Sequence, residues 1–556
     1  MTIGARRGGL IAFSLLIVVV TALFILTYPI NIGQYDAVGY LSMILAHRSN
    51  LIMASGYPFL FYYLLSLCTT LPPHQALEST LALTAVERSD SLLPDFLLKL
   101  LVANHAVHLA IVALVTWILC RTFGLSVALI TALLWTLNLF FLSAVSISQP
   151  EFLQADLLML AVALCSWAFM CDEVRAKLPL YFLASFVFAW VFLVKYNGLA
   201  FGGFFLLLFF FDSTTIKIKI AGLVACITVF ASVLFGYLWL FHYPSTGSWS
   251  FHHDRAWVYV TRLYLTFGPN VLDHSPGIAA LRWKALTVTT PQESPGYAYS
   301  SLSDGASPEQ KQKYRPKVDA ILSMTEDELR TYIRDNPPQP GFDFSRSMLP
   351  LYWYIGIAEA DDLASAMFWE FIRNNVGVVF KTVVTASVRT TLTSVADPYV
   401  PIPARPLGLF PTTNLANGFS QFSTRLPIPI SGTYWSYNLI LWKPGMRLFG
   451  IVDYLRITPW VERLLYLCLA AGLAWLPRQQ NRVTCALWLG IVGFILASHF
   501  VFVFRPKEAI ALWPVGCLLW AIAIKWGFTW TQALTHWLRL TKKTNPNLKI
   551  PVKILT

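Results

Sequence analysis

The chain has 556 residues, of which 56% are hydrophobic and 13% charged, with 20 Trp and 39 Phe. A soluble core cannot absorb that much apolar surface, so the composition excludes a water-soluble globular protein and indicates a polytopic membrane protein. The net charge of +12 does not speak for nucleic acid, because the Lys and Arg residues lie largely beside apolar segments, where they set orientation.

The first apolar run, Gly9 to Ile30, follows Arg6 and Arg7. Its basic flank predicts a cytoplasmic N-terminus. The run is long and lacks a small-residue cleavage site, so it reads as a retained span and not as a signal peptide. It delivers Tyr35, Asp36 and Tyr40 just beyond the outer surface. Asp36 there either meets a lipid-borne head group or caps a short interfacial helix. Asn50 to Leu71 is apolar but broken by Gly56 and Pro58. Parity with the later spans makes it a re-entrant or surface-lying helix, and a polar insert from His74 to Asp95 completes the outer segment 31–95.

Spans follow near Phe96–Leu119, Leu125–Leu142 and from Glu151 to Met170, with the outer turn Ser146 to Glu151 between the last two. Pro179–Val194 and Gly198–Phe211 form a tight helical pair with Lys195-Tyr196-Asn197 at the bend, and Ala221–Phe241 is the next span. His242 to Pro350 holds most of the acidic residues and prolines and no spanning run, which predicts a lid or small domain on the outer side. Leu351 to Ala396 reads as surface helices. Within it, Val376–Val395 is apolar, but Lys381, Arg389 and the many Thr residues favour an interfacial position over a span. Val461–Leu476, Thr484–Phe504 and Ala509–Lys525 close the bundle before a basic tail.

The total is about ten spans of roughly 16–23 residues, enough to cross a hydrocarbon core of about 30 Å. Both termini fall inside. The domain reading is 1–241 as an N-terminal transmembrane module, 242–458 as an outer loop with interfacial helices, 459–528 as C-terminal spans and 529–556 as a cytoplasmic tail. The eight cysteines fall mostly in or at the ends of apolar runs, which predicts no disulfide framework and no zinc site.

Charge placement supplies the candidate site. The inner ends carry Arg6, Arg7, Arg121, Arg175, Lys177, Lys217, Lys219, Arg478 and Arg482. Lys195, Arg505 and Lys507 lie on the opposite, outer side, against the orientation rule. An anionic head group is the natural reason, since Arg offers a planar fork to phosphate and Lys a mobile point charge; the alternative is snorkelling toward lipid head groups. Asp36, Glu151 and Asp156 fall at outer ends of early spans, where carboxylates serve to take a proton from an acceptor hydroxyl or to orient a cation. Glu151, directly after Pro150, also suits a helix N-terminus.

Weaker signals stay in the background. His252-His253-Asp254 and Asp273-His274 match no standard metal spacing and read as solvated loop residues. Asn104, His105 and His108 share one face of the second span and suit interhelical hydrogen bonding. No phosphate-cradling GxxxxGK loop, GxSxG elbow or HExxH motif is present.

With these residues placed, the chain resembles a polyprenyl-phosphate-sugar-dependent glycosyltransferase of the GT-C membrane fold, in the branch of protein O-mannosyltransferases and lipid A aminoarabinose transferases. Tyr35-Asp36-Ala37-Val38-Gly39-Tyr40 is similar to the acidic first-loop motif. Gly56-Tyr57-Pro58-Phe59 is similar to the aromatic surface helix after it. Phe192-Leu193-Val194-Lys195-Tyr196-Asn197-Gly198-Leu199 matches the Leu-x-x-Lys-Tyr-x-Gly-Leu bend, and Arg505-Pro506-Lys507-Glu508 resembles the late Arg-bearing outer loop. The family's Asp-Glu pair is here Asp36-Ala37, and 242–350 has no counterpart.

The resemblance implies an all-α, GT-C-like enzyme of the plasma (inner) membrane. Its active site would be extracytoplasmic and would transfer a sugar from a polyprenyl phosphate to a hydroxyl of a lipid, glycan or protein. Asp36 would be the catalytic base. Lys195, Tyr196, Arg505 and Lys507, with Tyr35, Tyr40, Tyr57, Glu151 and Asp156, would bind substrate. The resemblance fixes no cofactor, and a divalent metal stays open. Two other readings remain at this stage: a lipid or polysaccharide transporter or flippase without covalent chemistry, and a surface-glycan polymerase or ligase. Transporters tend to show internal repeats and charged mid-membrane helices; this sequence shows no repeat.

Overall fold

In lipid every backbone polar group must find a partner within the chain, and helices do this segment by segment. The computed structural model describes residues 15–22, 35–49, 54–71, 93–136, 139–145, 150–171, 173–212, 214–249, 259, 263, 277–289, 308–337, 357–393, 478–501 and 506–544. Among these the regular structure is helical, with no strand. Six of the helical stretches are long and apolar enough to cross a membrane: Lys99–Thr122, Glu151–Met170, Arg175–Val194, Ile216–Thr246, Gln480–Ala497 and Ala511–Thr529. Most of the first expected span and all of Val461–Leu476 lie outside the described residues.

Two short helices come first, α1 (Tyr35–Ala46) and α2 (Gly56–Cys68), the latter where a re-entrant or surface helix is expected. Then follow α3 (Leu93–Thr122), α4 (Leu125–Thr136), α5 (Leu139–Val145) and α6 (Glu151–Met170). Of the expected span Leu125–Leu142, α4 and α5 cover the described parts on either side of residues 137–138. Next come α7 (Val174–Val194), a tight 3-10 turn (Tyr196–Phe201), α8 (Gly202–Phe211) and α9 (Ile216–Tyr237), which continues through a wider π turn to Thr246. The bend expected at Lys195 is real: its backbone is extended, so α7 stops at Val194.

The centre of the bundle is α6. Nearly all of its residues are buried, and it packs against α7, α3, α16 (Pro506–Thr544) and, less extensively, α8 and α5. A helix apolar on every side belongs in a protein interior, because no face needs water. In contrast, α9 leaves Val224, Ile227, Phe235, Trp239 and Leu240 exposed, which suits a helix against lipid.

The two ends of the bundle differ. At one end the last carbonyls of helices accept bonds from cations on other helices. Lys219 Nζ donates to Phe210 O at 2.9 Å, Arg482 Nη1 to Phe211 O at 2.7 Å and Lys525 Nζ to Phe123 O at 2.9 Å. The last four carbonyls of a helix lack internal partners and carry the negative end of the dipole, so this placement is favourable. The Lys177–Asp212 pair, 3.0 Å apart and nearly buried, lies at the same end, with Tyr181 Oη and Thr214 N also donating to Asp212. Of the cations expected on the inner side, Lys177, Lys219 and Arg482 meet at this basic end, and Arg6 and Arg7 lie outside the described residues.

A second core forms beyond α9. Tyr259, Leu263, α10 (Ile278–Thr289), α11 (Pro308–Ser323), α12 (Glu326–Asp335), α13 (Ile357–Asn374) and α14 (Val376–Thr393) surround Trp283, Leu286, Ile321, Leu329, Met367 and Phe368. The described part of the expected outer section is therefore a small helical unit with its own core. A capping box between Thr325 and Glu328 starts α12, and the Thr325 backbone N–H holds the Glu328 carboxyl below its usual range. Val379 and Val383 of α14 enter this core, whereas Val376, Val378 and Phe380 remain exposed. The helix also packs on α15 (Arg478–Val501).

Removing one partner of a buried ion pair leaves an uncompensated charge. Lys177→Met should therefore cost about 3–5 kcal/mol. The double variant Lys177→Met/Asp212→Leu should recover most of that loss in the unfolding midpoint of the detergent-solubilised protein. A double variant as unstable as the single one would remove the pair from this account.

Candidate functional site

At the opposite end the sequence places polar residues on α6 itself, in its first two turns. Glu151 and Gln154 meet the bend after α7, and Asp156 meets α3. Glu151 Oε1 accepts from Lys195 Nζ at 3.0 Å, with the side chains 6% and 17% exposed. Gln154 Nε2 donates to Asn197 Oδ1 at 2.6 Å and to Lys195 O at 3.2 Å. Asp156 pairs with His108 Nδ1 of α3 at 3.0 Å, both side chains fully buried. The ring of His108 lies against Trp135 and Phe141.

Glycines let the backbones close on this cluster. A Cβ on Gly56 would lie 2.5 Å from the Leu193 carbonyl carbon and 2.7 Å from Val194 N, so α2 rests directly on the last turn of α7. A Cβ on Gly198 would lie 2.6 Å from Val191 Cγ1 and 3.0 Å from Gln154 Nε2. Both glycines are thus required by close approach, and they join the Gly56-Tyr57-Pro58 passage to the Lys195-Tyr196-Asn197-Gly198 passage.

Tyr57 is fully buried and packs edge-to-face on Tyr40, ring centroids 5.9 Å apart. Its hydroxyl reaches Asn104 Oδ1 at a longer 3.4 Å, while Asn104 Nδ2 donates to Val145 O at 2.9 Å. Asn104 and His108 therefore make the interhelical bonds expected of them. Asp36 and Tyr35 are the first two residues of α1, and Asp36 precedes Tyr40 by one helical turn. Tyr196 opens the 3-10 turn, half-buried, with its ring 5.2 Å from Phe192.

The start of α16 belongs to this end as well. Lys525 bonds Phe123 at the basic end, where α6 finishes, and α16 packs along α6. Pro506 lies about 28 Å back along the axis, the same distance that separates Glu151 from Met170. Lys507 is the second residue of α16. Arg505 lies just outside the described residues, as do His252, His253, Asp254, Asp273 and His274.

The candidates therefore fall into two groups. Lys195 sits at the rim, and two of its three hydrogens have no partner among the described residues. Glu151 sits just inside and orients it. Asp156 is sealed from solvent and committed to His108, which makes it a support for the helices beneath the rim. Gln154, which fixes the bend from below, is absent from the residues that the sequence singles out. Its signal was present, since a polar residue three positions after Glu151 in an otherwise apolar helix needs a partner. Among the described residues no cluster of three or more His, Cys, Asp or Glu is arranged to hold a metal ion.

Comparison with known proteins adds no relative: no family model, no curated protein and no solved structure matches the chain.

Gly56→Ala should destabilise the protein by about 1–3 kcal/mol, because the new methyl meets backbone that cannot turn aside. Gly203→Ala is the control. Nothing lies within 4 Å of its Cβ position, so the change should be neutral or stabilising by up to about 1 kcal/mol. Thermal midpoints of the two variants in one detergent decide the point, and equal midpoints would contradict the close packing of α2 on α7.

Proposed function

We propose that the protein is a membrane glycosyltransferase that moves a sugar from a polyprenyl phosphate to a hydroxyl of a lipid, glycan or protein at the extracytoplasmic face. The observation that carries this reading is the partly exposed Lys195–Glu151 pair at the bundle end opposite the basic one, where α2 rests on the last turn of α7; Asp36 of α1 and Lys507 of α16 are added to that end by inference. The basic residues at the other end favour the cytoplasmic side of a plasma membrane for that end and for both termini.

The chemistry follows from charge. A polyprenyl-phosphate sugar is a phosphodiester with one negative charge. As the bond between the anomeric carbon and the phosphate oxygen breaks, a second charge develops on the phosphate. Cations fixed near that oxygen stabilise the transition state more than the ground state. Lys195 has donors to spare for it, and Glu151 holds the ammonium in place. Lys507 in the first turn of α16, with Arg505 two residues before it in sequence, supplies further positive charge, joined by the positive end of the helix dipole. Asp36 takes the proton of the acceptor hydroxyl as its oxygen attacks the anomeric carbon from the far side, which inverts configuration. Tyr196, half-buried at the bend, offers aromatic surface suited to sugar and prenyl groups, while Tyr40 and Tyr57, both buried, pack on each other.

The buried His108–Asp156 pair favours one second reading, a lipid or polysaccharide transporter, because ionisable pairs inside a bundle often serve transport. Reconstitution in liposomes with a labelled polyprenyl-phosphate sugar separates the two. A transferase releases polyprenyl phosphate and labels an acceptor, whereas a transporter moves intact donor and makes no new glycosidic bond.

In that assay Asp36→Asn should lower transfer by roughly 10²–10⁴-fold while leaving thermal stability unchanged. Near-normal transfer would end the catalytic assignment. A stability loss that matches the activity loss would make Asp36 structural, whereas a helix-cap role predicts neither loss, because Asn caps as well as Asp. Arg505→Ala should weaken donor use much more than Lys507→Ala, by about 1.5–3 kcal/mol, because Lys507 is followed in sequence by the opposite charge of Glu508. Equal tolerance of both changes would remove Arg505 from the site.

A further inference from the structure

The end of α9 departs from regular geometry at one place. Leu238–His242 forms a π turn between two α-helical stretches. Such a turn takes in an extra residue, rotates the next stretch of helix about its axis, and recurs where a side chain must point in a set direction. Here Phe241 and His242 are turned inward, 4% and 1% exposed, while Trp239 and Leu240 face outward.

Both inward residues grip the connection between α1 and α2. His242 Nδ1 lies 2.6 Å from Ser49 Oγ, and Ser49 Oγ lies 2.8 Å from Ser55 Oγ, all three residues being buried. Phe241 packs against Phe59 and against His47, with centroids 4.9 Å and 5.3 Å apart. His47 closes α1 in a left-handed conformation, φ 47°, and stacks on Tyr62 at 3.7 Å. The connection is thus held at both flanks by consecutive residues of the π turn. The same helix then leads out of the bundle toward Tyr259 and Leu263, which belong to the outer helical unit.

We infer that His242 is a positioning residue for sugar transfer: through Ser49 and Ser55 it holds the α1–α2 connection, and with it the helix that carries Asp36, in register with the Lys195 bend. The inference rests on the reading given under Proposed function, because it takes Asp36 as the base. Without the buried bond α1 keeps its apolar packing through Leu41 and Ile44 but loses the polar anchor that fixes its distance from the rim. A displacement near 1 Å between catalytic groups costs on the order of 10²-fold in rate.

The test compares His242→Phe, Ser49→Ala, their double variant and His242→Asn, whose amide reaches the Nδ1 position. His242→Phe and Ser49→Ala should each lower kcat by roughly 10–100-fold with donor KM changed less than about twofold. The double variant should be no worse than Ser49→Ala, since both single changes break the His242–Ser49 bond and Ser49→Ala also removes the Ser55 contact. His242→Asn should recover most of the rate. Hydrogen exchange at residues 40–49 should quicken in His242→Phe without a change in thermal midpoint. Normal kcat in His242→Phe, additive losses in the double variant, or no rescue by Asn would overturn the inference. If His242→Phe fails to fold, Ser49→Ala carries the same readouts. If the wild-type protein transfers no sugar, the enzymatic reading fails by itself. Exchange then decides the linkage, and unchanged rates at residues 40–49 in Ser49→Ala would overturn that too.

Discussion

A carboxylate placed inside a protein bundle must be paired or it will not stay ionised, and the arrangement of this molecule depends on that constraint. Helix α6 is closed off from lipid and water over most of its length, yet its first two turns carry Glu151, Gln154 and Asp156. Lys195 from the end of α7, Asn197 from the turn after it, and His108 from α3 answer them one by one. Three neighbouring segments are therefore fixed in height and rotation against one helix. Apolar packing alone is weak at fixing register, because one apolar ridge fits a groove almost as well as the next; directional bonds remove that freedom.

The same principle explains why the two ends of the bundle look different. At the basic end, cations meet helix carbonyls and one aspartate, so charge is consumed in closing the structure. At the other end, Lys195 keeps part of its side chain exposed and is held by a carboxylate of the central helix α6, whereas Lys219, Arg482 and Lys525 each bond a carbonyl at a helix end.

Much of the architecture was legible because apolar length is a strong signal. The runs that became α3, α6, α7, α9, α15 and α16 are long, and their polar breaks at Arg121, Pro150 and Lys195 fall where the helices end or begin. The bend at Lys195 was readable because Tyr196-Asn197-Gly198 supplies a turn residue where backbone approaches closely. Pairings between distant residues were not legible. Nothing local to Ser49 names His242, and nothing local to Asp156 names His108, because those contacts are set by how helices pack and not by sequence spacing. The π turn in α9 has no composition signal at all.

The claim on which the account turns is that this bundle end transfers a sugar from a lipid-phosphate donor. Mass analysis of envelope glycolipids, glycans and glycoproteins from cells with and without the protein tests it most directly, with complementation by the wild-type chain and by Asp36→Asn. The account predicts one acceptor class that is lighter by a single sugar when the protein is absent, restored by the wild-type chain and left unrestored by the Asn variant. Identical profiles in all four strains would contradict it.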